Sequence, residues 1–177
     1  MGFWDKFKSL IGIKNTVKRE IAVLDNGPVN LFTDPSGAEV SDFIGDFDVD
    51  CDGTGGNPHK DPCFQPDTRL HYKGRALHAE TVPYAVVPPC IIREAKGIVM
   101  GCLCICTNTE TGAVARAVVG DSGPTKKDGE GSPRLAELLG LDPDPNHGGT
   151  DRKIIRYQIY IGVPAVIDGI TYELQAS

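Results

Sequence analysis

Residues 117–141, AVVGDSGPTKKDGEGSPRLAELLGL, set out in order a strand end, a turn, a polar loop and a helix. The apolar run Ala117–Val119 stops at Gly120 and Asp121, and Ser122, Gly123 and Pro124 supply the residues of a turn. Ser132 suits a helix N-cap, Pro133 the first helical position and Gly140 the C-terminal stop, with Leu135, Leu138 and Leu139 as an apolar stripe. So short a helix must lie against a sheet or barrel to be stable.

On either side of this stretch the pattern is brief apolar runs bounded by Gly, Pro and Asp. VNLFT (29–33), HAETVPYAVVP (78–88), GIVMGCLCICT (97–107), AVARAVVG (113–120), IIRYQIYIG (154–162) and ITYEL (170–174) read as strands. Residues 104–120 suit a hairpin turning at NTETG, with Gly112 free to take a positive φ. With 21 glycines, 13 prolines and few aromatics in 177 residues, the chain suits one all-β or β-rich domain rather than a helical bundle. The expected division is a basic segment at 1–25 and a β domain at 26–177.

The net charge of −6 is uneven. Lys6, Lys8, Lys14, Lys18 and Arg19 outweigh Asp5 in the first 19 residues, so the remainder is more acidic still. An acidic body argues against nucleic acid and favours a cationic ligand wherever carboxylates gather in a cleft. Phe3, Phe7, Leu10 and Ile11 recur at helical spacing with lysines between them, predicting an amphipathic helix at 2–12 suited to pack on the domain or dock on a membrane surface or protein groove. No uninterrupted apolar core of a secretory signal is visible. The expectation is synthesis in the cytoplasm, with any release by a non-classical or injection route.

Six cysteines occur, and Cys102, Cys104 and Cys106 alternate as one face of a strand would, which fits small buried thiols. Cys51, His59 and Cys63 lack the close pairing of zinc ribbons. Asp48, Asp50 and Asp52 before Gly53 begin like a calcium loop, but its twelfth position is His59 instead of glutamate, and no metal is assigned. Asp46, Asp48, Asp50 and Asp52 form instead a candidate acidic wall for a positively charged sugar, against the alternative of an Asp-rich turn bonded to its own backbone.

Asp121 at a strand end and Glu130 just before the helix are the candidate catalytic pair. Glycosidases need two such carboxyls, one protonated to assist the leaving group and one ionised. Structural roles remain the alternative, Asp121 as a turn cap and Glu130 as a charge near the helix start.

FIGDFDVDCDG, TVPYAVVPP, GIVMGCLC, AVARAVVGDSGP, GEGSPRLAELLGL and YQIYIG together resemble glycoside hydrolase family 75, the fungal-type chitosanases, over roughly residues 40–165. The resemblance implies an inverting endo-hydrolase of β-1,4-linked glucosamine that needs no cofactor. It carries the catalytic roles to Asp121 and Glu130, leaving acid and base open with Glu130 preferred as acid. The turn and SPRLAELLGL helix are also similar to those of double-psi β-barrel proteins, which implies a six-stranded double-psi-like barrel with a groove across one mouth. Family chitosanases are secreted, so the N-terminal segment leaves two alternatives: a peptidoglycan-cleaving hydrolase or lytic transglycosylase delivered as an effector or lysis protein, and a non-catalytic sugar-binding module.

Overall fold

The computed structural model describes residues 19–55, 61, 63–125, 127 and 129–175; the segment at 2–12 and His59 lie outside them. Strands make up 49% of the structure and helix 8%, so the core is built by sheet closure. The strands are β1 (Arg19–Leu24), β2 (Gly27–Thr33), β3 (Glu39–Val49), β4 (His71–Tyr72), β5 (Arg75–Ala76), β6 (Tyr84–Val86), β7 (Cys102–Asn108), β8 (Val114–Asp121), β9 (Glu130–Gly131), β10 (Thr150–Ile167) and β11 (Ile170–Tyr172). The helices are α1 (Pro89–Glu94) and α2 (Pro133–Leu138). Neither is long and apolar enough to cross a membrane.

Six strands close into a barrel in the order β3, β9, β6, β8, β7, β10, and β10 pairs back onto β3. The β3–β9 and β6–β8 pairs are parallel and the other four antiparallel. Closure leaves no open edge within the ring. The β1–β2 hairpin continues the sheet outward from β3, and β11 pairs with the end of β10.

The interior is filled by Phe47, Tyr84, Ile91, Leu135, Ile155, Tyr157 and Ile159, all buried, and Phe43 stacks on Tyr157 with ring centroids 5.0 Å apart. Cys102, Cys104 and Cys106 are buried free thiols in β7, with Cys104 and Cys106 Sγ atoms 3.6 Å apart, so the alternating thiols serve as small core side chains. The β7–β8 hairpin turns where the sequence places it, and Gly112 has φ +77°.

Helix α2 also follows its sequence signals. Ser132 Oγ accepts from Leu135 N at 3.2 Å, Pro133 opens the helix, and Gly140 takes φ +73° beyond its end. The fully buried Ser132 hydroxyl does more than cap: it accepts from Tyr84 N and donates to Val82 O, tying α2 to the entry of β6. Strand β3 is where the sequence pattern misled. Its residues 46–49 had the appearance of an Asp-rich turn, yet they continue an eleven-residue strand that pairs with β2, β9 and β10. The long run 78–88 narrows to three strand residues, followed by the unanticipated helix α1.

Candidate active site

One end of the barrel carries a cavity of about 770 Å³, walled by Asp48, Asp50, Asp52, Asp121, Lys127 and Glu130, and farther out by Asp61, Gln65, His147 and Asp151. The sheet register sets its floor. Asp48 of β3 lies opposite Glu130 of β9, Glu130 opposite Val86 of β6, and Val86 opposite Asp121 of β8. Four adjacent strands thus present one row with a carboxyl at three of its four positions. Asp121 and Glu130 flank Val86 across two strand spacings, about 10 Å between their Cα atoms.

Asp121 reaches this row through a bulge. Between Ala85 and Val86 the partner in β8 advances from Val119 to Asp121, leaving Gly120 as the extra residue. A Cβ on Gly120 would lie 2.6 Å from Tyr84 Cβ, so only glycine fits, and its carbonyl accepts from Leu70 N at 2.9 Å. Asp121 is 9% exposed, and its Oδ1 accepts from Ser122 N at 2.7 Å and Arg69 N at 3.4 Å. Burial raises its proton affinity while those two backbone donors oppose the rise.

Glu130 is placed by the two glycines beside it. Gly129 has φ +89° and packs so tightly on Asp46 that a Cβ would lie 2.2 Å from the Asp46 carbonyl oxygen, while a Cβ on Gly131 would lie 2.8 Å from Tyr84 O. The carboxylate lies under the turn after β8, since a Cβ on Gly123 would fall 2.6 Å from Glu130 Oε2. Burial pushes its pKa up to about 7; Lys127 pulls it down, and Asp48, Asp52 and Asp121 add to the rise.

Of the acidic wall, Asp48, Asp50 and Asp52 line the cavity and Asp46 does not; Asp46 lies against Gly129, its carboxyl raised by burial and lowered by a hydrogen bond with Asn26. Asp50 is 8% exposed and pushed to about 8, first by burial and then by Asp52. Burial likewise raises Asp52 to about 6, against a hydrogen bond from Gln65 N. The Tyr84 hydroxyl bridges the backbone here, 2.9 Å from both the Asp50 and Asp52 carbonyl oxygens.

Among the described residues, the cluster whose ligand atoms lie close enough to share a cation is Asp50, Asp52 and Asp121, within 4.8 Å of one another. Raised proton affinities at all three show that protons can balance the same charge. Asp48 belongs to β3, so Asp48, Asp50 and Asp52 do not form the single loop that the calcium pattern needs. Cys51 is buried and Cys63 exposed at the cavity wall. Sequence reasoning passed over Asp61 and Asp151 as cavity residues, because only the closed barrel brings them to one mouth.

The fold and site define a closed six-stranded β-barrel with a carboxylate row across one mouth. No family model matches the chain. It is 30% identical over 131 residues to Endo-chitosanase C of Aspergillus oryzae, a match that covers 71% of this chain and 33% of that protein. The chain thus spans about a third of the length of the curated relative it matches, and over most of its own length it is similar to a chitosanase.

Proposed function

We propose that this protein is an endo-acting glycoside hydrolase that cleaves a β-1,4-linked, chitosan-like amino-sugar polymer with inversion at the anomeric carbon. The observation that carries the reading is the row in which Glu130 and Asp121 flank Val86 on the floor of an acidic cavity. Glu130, kept protonated to about pH 7 by burial, acts as the acid and gives its proton to the glycosidic oxygen as the C–O bond breaks. Asp121, its proton affinity raised by burial and opposed by two backbone donors, takes a proton from the water that attacks from the other side of the ring.

The strand spacing leaves room for the water that an inverting pair admits. Retaining pairs hold their carboxyls about 5–5.5 Å apart, whereas inverting pairs stand about 6.5–9.5 Å apart to admit water. Val86 between the two strands keeps the backbones of Asp121 and Glu130 well separated. The acidic lining, from Asp48 and Asp52 to Asp61 and Asp151, gives the cavity a negative potential that favours the ammonium groups of glucosamine over the carboxylates of peptidoglycan.

The test measures reducing-end release from soluble chitosan and from purified peptidoglycan, for wild type beside Glu130→Gln and Asp121→Asn. Proton NMR of the first product anomer accompanies it. Chitosan cleavage with initial α-anomer, reduced at least about a hundredfold by either substitution, supports the reading. Cleavage of peptidoglycan alone reassigns the substrate, and anhydro ends in its products identify a lytic transglycosylase. Polysaccharide binding without turnover by the wild type makes the protein a sugar-binding module.

A further inference from the structure

Lys127 lies in the loop between β8 and β9 and forms an ion pair through Nζ with Asp48. Asp48 is the residue opposite Glu130 in the parallel β3–β9 pair, so Lys127 sets one ammonium beside two carboxylates on neighbouring strands. Lys127 is the one lysine or arginine lining the cavity among the described residues. Both partners of the ion pair are more than 40% exposed, and pairs that open to water add little to fold stability. A cation in an otherwise acidic, cation-seeking cleft is a cost to substrate binding, which calls for a compensating role.

We propose that Lys127, anchored by Asp48, is a positioning residue that acts through Glu130, stabilising the carboxylate that appears there as the proton leaves for the glycosidic oxygen. This rests on the reading of Glu130 as the acid. No atoms beyond those of hydrolysis are involved: the Glu130 proton passes to the leaving oxygen, water adds to the anomeric carbon, and Asp121 takes the water's proton. Anchoring matters as much as charge. A lysine free to bond Glu130 directly would strip its proton before substrate arrived, and Asp48 holds the ammonium to the neighbouring strand.

The groups that face Glu130 are Asp48 on β3, Asp50 and Asp52 just beyond it, Asp121 on β8 and Lys127 on the loop, with His147 and Asp151 across the cavity; β6 contributes the apolar Val86. Of these, Lys127 is the strongest influence opposing the burial that raises Glu130.

The test compares Lys127→Met and Lys127→Arg with wild type by two readouts: the titration midpoint of Glu130 from carbon-13 NMR of the labelled side chain, and the pH profile of kcat and KM on soluble chitosan. Met is expected to move the Glu130 midpoint and the alkaline limb of kcat upward by on the order of 0.5–1 pH unit. It should lower kcat by about three- to tenfold, the rate equivalent of that shift, while KM holds or falls. Arg should restore most of kcat. A midpoint that moves by less than about 0.2 unit, or a loss carried by a rising KM without rescue by Arg, overturns the proposal. A shifted midpoint in a protein whose wild type cleaves no polysaccharide refutes the hydrolase reading while the Lys127–Glu130 coupling stands.

Discussion

Replacing Glu130 by glutamine should abolish turnover and yet make the protein more stable, by an amount that grows with pH. A carboxyl whose pKa is raised on folding binds its proton more tightly in the native state. Its favourable contribution is complete below the unfolded value and is lost as pH rises through the folded one. For Glu130 that window runs from 4.5 to about 7. At 1.36 kcal/mol per pH unit the loss by pH 8 is bounded at about 3 kcal/mol, and partial access of water from the cavity brings the expectation to about 1–3 kcal/mol. A glutamine amide at this position cannot ionise and escapes this loss, so the variant should match wild type near pH 5 and exceed it at pH 8. In thermal melts the gain at pH 8 is about 3–10 °C for a domain of this size. The assay is urea unfolding or calorimetry of both proteins at pH 5, 6.5 and 8 and constant ionic strength. An equal difference at all three values, or a variant less stable at pH 8, would refute the argument that Glu130 is held by burial in a proton-retaining site.

Three further outcomes follow from the packing around the row. Ser132→Ala leaves Leu135 N, Tyr84 N and Val82 O without their common partner and should cost about 2–4 kcal/mol in urea unfolding, whereas a loss under about 0.5 kcal/mol would mean the hydroxyl is dispensable. Gly123→Ala puts a methyl 2.6 Å from Glu130 Oε2 in a half-exposed turn, so kcat on chitosan should fall about tenfold or more with Tm changed by only a few degrees; unchanged kcat would contradict the placement of that carboxylate. Tyr84→Phe removes the hydroxyl that bridges the Asp50 and Asp52 carbonyls and should cost about 1–2 kcal/mol and speed amide exchange in residues 50–54, with unaltered exchange showing that the bridge does not order the segment.

The catalytic candidates were legible because their neighbourhood is written in local rules. Ser132, Pro133 and Gly140 mark α2 by capping chemistry that depends on adjacent residues alone, and Gly112 marks the β7–β8 turn by its φ. Asp121 and Glu130 could be singled out by their positions at a strand end and before a cap. The Asp-rich run 46–52 was legible as charge but not as structure. Asp and Gly are poor strand formers, and nothing local reveals that barrel closure will pair residues 39–49 on both sides.

By itself the sequence determined a β-rich chain, a short capped helix, an acidic body and two carboxylates close along the chain, since composition, turn residues and caps act over a few positions. The tertiary structure alone decided which carboxylates share a wall. The parallel pairing of β3 with β9 sets Asp48 against Glu130, and the bulge at Gly120 carries Asp121 into line with Val86. It also separated Asp46 from Asp48, Asp50 and Asp52, and it raised Glu130 and Asp50 by burying them. Strand register and burial depend on partners tens of residues away, and a proton's affinity depends on the water those partners exclude.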